Sequence, residues 1–219
     1  MLNKIETIEE HDEYLAIYIN TNDTSLLSMR VSKFWVGLVW PEYPIHPAYY
    51  CIFGEMWRES GKRGKLVFVS EGESSDMYLA PMLDEMTDVL YFLKSYDIYT
   101  DIKNEQFVAE FRDYTVGNDL RFDLRNAPFT GNFNLGINSI DRIRKVPGID
   151  FGNDRCKLKM EYETLSKEKI NNLKNDDIQS EIYPIHALRY IATSFEKYGN
   201  SAIDINIKIA MNKFKGVLK

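Results

Sequence analysis

The sequence predicts an α/β fold in which a mixed β-sheet is flanked by helices. Up to Ser70, runs of β-branched and aromatic residues alternate with turn sequences, which is typical of strands. From Asp76 onward the apolar residues recur at helical spacing, and further short strands then alternate with helices. Antiparallel strands followed by alternating helices and strands favour one mixed sheet with helices packed against it.

The first part of the chain is predicted to supply most of the strands. They are expected at residues 14–20, 26–31, 34–40, 49–53 and 65–70. The first two are separated by the turn residues 21–24, so they predict a hairpin. The third is almost continuously apolar, as expected for a strand that is buried on both faces of a sheet.

The second part is predicted to alternate helices with short strands. A helix is expected to begin near Asp76, whose side chain is suited to capping it. Further helices are expected around residues 107–111 and 137–143, and strands at 97–100, 120–124 and 157–160. Pro184 suits the first position of a last helix running to about Tyr198, because its missing N–H would be unpaired there anyway. The tail at 202–210 alternates strictly and favours another strand.

Composition predicts a soluble protein of a reducing compartment such as the cytoplasm. The 219 residues are 44% hydrophobic, which is enough to build a core. No run approaches the roughly 18 apolar residues that a membrane span needs. The two cysteines, Cys51 and Cys156, show no paired spacing and suggest neither a disulfide framework nor a zinc site. The formal charge of −6 gives no global attraction to nucleic acid or to an acidic membrane.

The common nucleotide-binding and nucleophile motifs are absent from the sequence. The basic turn at 61–65 lacks the spacing of a phosphate-binding loop, so ATP hydrolysis is not expected. No Gly-x-Ser-x-Gly run occurs. The three histidines, His11, His46 and His186, show no metal-ligand spacing.

Acidic residues near the ends of predicted strands are better candidates for chemistry. Glu71, Glu73 and Asp76 follow one strand, and Asp101 directly follows the strand that ends at Thr100. In open α/β sheets, ligand sites collect at the carboxyl ends of strands. Several acids meeting there would bind Mg²⁺ or Mn²⁺ for phosphodiester cleavage. The structural alternative is that Asp76 caps a helix and that both glutamates are exposed loop residues.

Several short segments, taken in order, resemble the nuclease domain of phage packaging terminases. They are the strand at 36–40, the strand at 65–71, the strand, Asp101 and helix at 99–111, the helix at 136–143, the strand at 156–162 and the run His-Ala-Leu-Arg-Tyr at 186–190. The resemblance implies a ribonuclease H-like mixed β-sheet flanked by helices for residues 34–200. An N-terminal β-hairpin extension would precede it at 1–33, and a basic C-terminal tail would follow at 201–219.

The resemblance also implies three metal-binding acids, of which this chain keeps one, Asp101. Val39 stands where the first strand of the family carries an Asp, and His186 stands in place of the Asp of the family's last helix. Valine offers no ligand atom, and imidazole is a poor match for Mg²⁺ although it suits Mn²⁺ or Zn²⁺. The loop at 127–135 also lacks the lysine that is usual there.

Three functions remain open at this point. The first is a degenerate nuclease-like domain of viral DNA packaging, which binds DNA or packaging-motor and portal proteins in the host cytoplasm with weak or lost cleavage. The second is an active endodeoxyribonuclease with a rebuilt site. Its catalytic residues would be Asp101, Glu71, Glu73 and His186, with Mg²⁺ or Mn²⁺ held by Asp101, Glu71 and His186. The third is an unrelated α/β interaction protein. In the first two, the packaging ATPase resides on another chain or segment.

Charge is unevenly distributed along the chain. Between Arg142 and Lys174 there are nine basic residues against five acids, whereas the first thirty residues are acidic. This asymmetry predicts an orientation on DNA or on an acidic partner, with ordinary solvated faces as the alternative.

Overall fold

The computed structural model describes residues 4–10, 15–20, 26–40, 47–58, 63–74, 79–90, 96–103, 105–120, 122–152, 156–164 and 183–198. The strands are Lys4–Glu10 (β1), Leu15–Asn20 (β2), Leu26–Val39 (β3), Ala48–Met56 (β4), Leu66–Ser74 (β5), Tyr96–Thr100 (β6), Phe122–Asn126 (β7) and Ile149–Asp150 (β8). The helices are Leu79–Leu90 (α1), Glu105–Gly117 (α2), Phe133–Ile143 (α3), Lys157–Thr164 (α4) and Tyr183–Tyr198 (α5).

The described strands form one mixed sheet with a defined central order. Five neighbouring strands run in the order β5-β4-β3-β6-β7. β4 is antiparallel to both of its neighbours, while β6 is parallel to β3 and to β7. The first three strands of this core therefore form an antiparallel meander, and the next two add in parallel on its other side. This is the strand order and orientation of the ribonuclease H-like fold, so the predicted fold class is confirmed.

Helices cover the sheet on both faces. One buried cluster contains Met82, Leu83 and Met86 of α1 and Phe107 and Phe111 of α2. The opposite face is covered by α3, α4 and α5, whose buried side chains join a second cluster with residues of β3, β4, β5 and β6. The sheet is thus buried on both sides, which explains why β3 and β4 read as almost continuous apolar runs.

A single long strand replaces two of the predicted ones. Residues 26–31 and 34–40 are separated only by Ser32 and Lys33, and β3 runs straight through them. Its first half pairs with β2 and its second half with β4, and Val31 pairs with a residue of each. The predicted hairpin of β2 and β3 is present. β1 pairs antiparallel with β2, on the side of β2 that faces away from β3. No strand is predicted at the position of β1.

The predicted strand at 157–160 is wrong, because these residues begin the helix α4. The alternation of Leu158 and Met160 suggests a strand, yet Leu158 is fully buried while Met160 is 49% exposed. In a helix, residues three and four positions apart lie on the same face. Leu158 therefore lies on the inner face of α4 together with the half-buried Glu161 and Tyr162.

The other predicted helices, and the strands from β4 to β7, lie where the sequence predicts them, within a few residues. Asp76, His11, His46, the turn at 21–24 and the tail at 201–219 lie outside the described residues. Among the helices that the structure describes, none combines the length and the apolar character that crossing a membrane would require.

Candidate functional site

Most of the site residues predicted from the sequence lie at the carboxyl edge of the sheet. Val39 is the last residue of β3, and across the sheet it pairs with Tyr49 of β4, which in turn pairs with Glu73 of β5. On the other side of β3, Gly37 is in parallel register with Tyr99, so Asp101 leaves β6 level with Val39. Because side chains alternate along a strand, all of these positions belong to the face that α5 covers.

Helix α5 crosses that face in close contact with β3. A Cβ atom added at Gly37 would lie 2.2 Å from the carbonyl oxygen of Ala187, so only glycine permits this approach. Phe195, near the end of the helix, packs edge-on against Trp35 at 5.3 Å between ring centroids. The helix therefore runs opposite to β3, and its first turns lie over the carboxyl edge. His186 reaches the edge in this way.

Arg189 occupies the space between α5, α3 and the edge of the sheet. It is 2% exposed, and its Nη1 lies 2.6 Å from Nδ1 of His186. Its Nη2 donates to the carbonyl oxygen of Thr130 at 3.2 Å, and the guanidinium stacks over the Phe133 ring at 4.7 Å. Burial lowers the pKa of Arg189 to about 10, against the opposing attraction of charges that include Asp101. The guanidinium thus contacts the histidine directly and interacts electrostatically with the remaining acid.

The contact with Arg189 fixes the protonation of His186. A guanidinium can only donate, so Nδ1 of His186 must accept and carries no proton. The ring is then the neutral tautomer with its proton on Nε2. His186 is 6% exposed, and its ring centroid lies 5.5 Å from that of Phe133, so the imidazole is almost completely buried.

Asp101 is the only carboxylate among the three positions that the resemblance selects. Its side chain is 22% exposed, and its Oδ2 lies 3.0 Å from Nζ of Lys103 on the same loop. Val39 contributes only hydrocarbon, and His186 has one nitrogen engaged by a cation. Within the described ranges, no group of three or more histidine, cysteine, aspartate or glutamate side chains is arranged to hold a metal ion. The residues at this edge therefore fit poorly to a two-metal centre.

Glu71 performs a structural task at the start of α4. Its carboxylate accepts from the backbone N–H of Lys157 at 2.7 Å and of Leu158 at 3.1 Å. It also accepts from the Tyr49 hydroxyl at 2.5 Å and from the Cys156 thiol at 3.6 Å. A carboxylate has about four lone-pair sites, so these donors use its capacity. Glu71 thus caps a helix that lies far along the chain, where the sequence suggested a metal ligand or a loop residue.

Glu73 of β5 and Glu161 of α4 are two further acidic residues near Glu71, and their charges influence each other. Glu73 accepts from Nζ of Lys157 at 2.6 Å. Burial raises the pKa of Glu161 to about 7, and the charges of Glu73 and Glu71 add to this while Lys157 opposes it. Oε2 of Glu161 is buried without a hydrogen-bond partner. Glu161 was not among the predicted site residues, because its burial depends on how α4 packs.

Both cysteines lie beside Glu71 and are free. Cys51 is completely buried, and burial raises the pKa of its thiol well above the ordinary value. Burial likewise raises the pKa of Cys156 to about 12. Neither thiol is therefore activated as a nucleophile.

Comparisons with known proteins give similarity in structure but none in sequence. No protein-family model matches the chain, and no curated protein matches it in sequence. The large terminase nuclease from thermophilic phage G20c with bound zinc is similar in structure at 8% identity and a TM-score of 0.48, covering 90% of this chain and 94% of that one. Its magnesium-bound form gives 7% identity and 0.48, covering 87% and 92%. The fowlpox virus Holliday junction resolvase gives 14% identity and 0.36, covering 75% and 98%.

The strand order of the sheet and the placement of α5 over its carboxyl edge carry the structural conclusion. The chain has a ribonuclease H-like fold, and in that fold it is similar to the nuclease domains of phage terminases.

Proposed function

We propose that this chain is a nuclease-like domain of viral DNA packaging that binds DNA and has weak or lost cleavage activity. One observation carries the proposal. The edge at which the fold places its catalytic acids keeps Asp101, but it presents Val39 and His186 at the other two positions. The ordered sequence resemblance to terminase nucleases supports the packaging context, with portal and motor proteins as further partners in the host cytoplasm.

The chemistry of phosphodiester cleavage supports the loss of activity. Two metal ions that clamp the attacking and leaving oxygens need carboxylates that hold both ions at a short separation. Mg²⁺ also demands near-octahedral oxygen coordination. Asp101 alone cannot satisfy this, and His186 is held as a hydrogen-bond acceptor by the cationic Arg189. Electrostatic repulsion from that guanidinium further disfavours a divalent cation beside the imidazole.

A nicking assay on supercoiled plasmid tests the proposal. We expect no cleavage above background by the natural protein with either Mg²⁺ or Mn²⁺. The double variant Val39→Asp with His186→Asp restores the two acids and should gain metal-dependent nicking. Adding Asp101→Ala to that variant should remove the gain. Robust cleavage by the natural protein that Asp101→Ala abolishes would contradict the loss of activity.

The DNA-binding half of the proposal needs a separate measurement. Fluorescence anisotropy with labelled duplex and single-stranded oligonucleotides measures affinity without any cleavage step. Binding of either form at micromolar protein concentration is the expected result, because non-specific DNA affinities lie in roughly this range. Absence of binding to both forms at low salt would contradict it.

The alternative of an active Mg²⁺- or Mn²⁺-dependent endonuclease is favoured by one observation. Val39 of β3 pairs with Tyr49 of β4, and Tyr49 pairs with Glu73 of β5. Glu73 is therefore level with Val39 and supplies an acid at this edge, where β3 has none. That site would use Asp101 and Glu73 with His186, while Glu71 would first have to leave α4. A rise in melting temperature with Mn²⁺ that Asp101→Ala and Glu73→Ala each remove would favour this alternative. The strand order of the sheet argues against the third reading, an unrelated α/β interaction protein.

A further inference from the structure

Phe129 is an aromatic side chain held out from the loop that follows β7. It is 62% exposed, although phenylalanine is among the residues most often buried. Its φ angle is 59°, which lies in the left-handed region that L-residues other than glycine and asparagine rarely adopt. An exposed ring on a strained backbone contributes little to folding, so its position calls for another explanation.

The loop is fixed rather than free at this point. The carbonyl of Phe129 accepts from the backbone N–H of Asn132 at 2.9 Å, and the next carbonyl, of Thr130, accepts from Nη2 of Arg189 at 3.2 Å. At the start of the loop, the N–H of Ala127 donates to the carbonyl of Thr100 at 2.8 Å. The ring of Phe129 is therefore presented from a backbone that is anchored to both α5 and β6.

A lysine lies on the neighbouring loop of the same edge. Lys103 follows β6, its side chain is 61% exposed, and its Nζ contacts Asp101 at 3.0 Å. The two loops are joined because Asn126 accepts through its Oδ1 from the N–H of Ile102 at 3.4 Å. Lys103 and Phe129 thus belong to the loops that follow two adjacent parallel strands, and the first of these loops also carries Asp101.

We propose that Phe129 is a stacking platform for an unpaired base of a DNA strand whose backbone passes along this edge, with Lys103 meeting a phosphate. The inference rests on the proposed function and names the form of DNA that the site prefers. An exposed aromatic ring and an exposed cation on neighbouring loops are the combination that single-strand binding surfaces use, because every base offers a face for stacking. The residues after Phe129 are Thr130, Gly131 and Asn132, so the loop offers little continuous apolar surface to a protein partner.

The inference is tested by anisotropy with a single-stranded oligonucleotide and with the blunt duplex of the same sequence. Phe129→Ala should weaken single-strand binding about tenfold, which is the loss of one base–aromatic stack. Phe129→Trp should retain the affinity, and Phe129→Leu should lose it, because leucine keeps the apolar surface but has no ring. Duplex binding should change by less than about twofold in all three variants, since paired bases cannot reach the ring.

Leu135 provides a matched control, because it is an apolar side chain of the following helix that is 40% exposed. Leu135→Ala should leave both affinities unchanged. A 2-aminopurine base placed in the strand should be quenched on binding to the natural protein and not to Phe129→Ala. Single-strand affinity that is equal in Phe129→Ala and the natural protein overturns the inference and leaves the proposed function standing. Failure of the natural protein to bind DNA in either form overturns the proposed function itself.

Discussion

At the scale of single residues, the packing of Arg189 against α3 decides the shape of the candidate site. The guanidinium has its place only because position 136 carries no side chain, since a Cβ there would lie 2.4 Å from Nε of Arg189. The arginine cannot move away without losing its contacts with His186 and with the Thr130 carbonyl. Gly136 is thus as necessary to the site as the charged residues are.

Gly136→Ala should lower the free energy of unfolding by about 1–3 kcal/mol, which is the usual cost of overpacking a core. The higher helix propensity of alanine offsets only part of this. Gly117→Ala, at the end of α2, is the control, because no atom lies within 4 Å of an added Cβ there. Urea unfolding followed by circular dichroism measures both variants. A Gly136→Ala protein as stable as the natural one would show that Arg189 is not confined as described.

Glu161 gives the protein a stability that depends on pH. Its pKa is raised from 4.5 to about 7 in the folded state, mainly by burial. Between these values the folded state holds a proton that the unfolded state has released, so stability falls as pH rises through this window. Above pH 7 the carboxylate of Glu161 is ionised in the folded state, and the full cost of removing that charge from water lowers the stability. The side chain is only half-buried, so solvent screening keeps the effect small.

Glu161→Gln should therefore raise the melting temperature at pH 8 by roughly 1–2 °C more than it does at pH 5. Glu163→Gln is the matched control, because Glu163 lies on the same helix with a side chain that is 62% exposed. Thermal unfolding at both pH values compares the variants. Parallel pH profiles for Glu161→Gln and the natural protein would contradict the assigned burial.

At the scale of elements, α4 exists because of a residue on a strand far from it in sequence. Its first backbone N–H groups are satisfied by Glu71, so the carboxylate both accepts their hydrogen bonds and interacts favourably with the positive end of the helix. This explains why the segment is a helix although its own sequence, Lys-Leu-Lys-Met, alternates like a strand.

Glu71→Ala should destabilise the protein by about 2–3 kcal/mol, because it leaves two backbone donors and the buried Tyr49 hydroxyl without their acceptor. The loss should be the same with and without Mn²⁺. Glu73→Ala is the control, since its partner Lys157 is itself 40% exposed and the pair contributes little. A stability loss in Glu71→Ala that appears only in the presence of Mn²⁺ would instead make Glu71 a metal ligand.

Elements with a local signal could be predicted from the sequence, and those that depend on distant contacts could not. The last helix has Pro184 at its start and a regular apolar period, and α5 begins within one residue of the prediction. β1 has no regular alternation of apolar and polar residues that would distinguish it from an acidic surface segment. The cap of α4 comes from Glu71, 86 residues before Lys157, and no local pattern reports it.

The residues of the candidate site likewise fall into those that a local pattern predicts and those that depend on distant contacts. The position of Asp101 at a strand end follows from periodicity, and the structure places it there. Arg189 belongs to the run His-Ala-Leu-Arg-Tyr, yet the helical spacing of the apolar residues around it gives no sign that the arginine is buried against α3. Whether a charged residue on a helix points inward depends on tertiary packing, and that is why the residue central to the site was missed.

At the scale of the whole molecule, a net charge of −6 limits how the proposed DNA binding can work. The acidic protein repels the phosphate backbone at long range, so binding must rest on a few local cations such as Lys103. Affinity should then depend only modestly on salt. For a single strand we expect a slope of about −1.4 to −2.1 for the logarithm of affinity against the logarithm of salt concentration, corresponding to two or three phosphate contacts at roughly −0.7 each.

Anisotropy titrations between about 50 and 200 mM NaCl measure this slope. Lys103→Gln should make the slope for a single strand shallower by about 0.7, because one phosphate contact is removed. Lys145→Gln is the comparison variant, because Lys145 is exposed in the short π-helix Arg144–Gly148 that follows α3. A slope steeper than about −6 would show an extended basic surface and contradict binding through this edge.

The contact between α5 and β3 has a consequence for the order in which the parts of the protein fold during synthesis. Ala187 of the last described helix lies against Gly37, and 150 residues separate them in the chain. Until the ribosome has synthesised the intervening segments, this face of the sheet lacks the cover of α5, and the apolar side chains beneath that helix are open to aggregation. Such distant contacts also slow folding, because a long loop must close before they form. The nascent chain therefore completes the cluster beneath α5 and its candidate site together, once α5 has emerged.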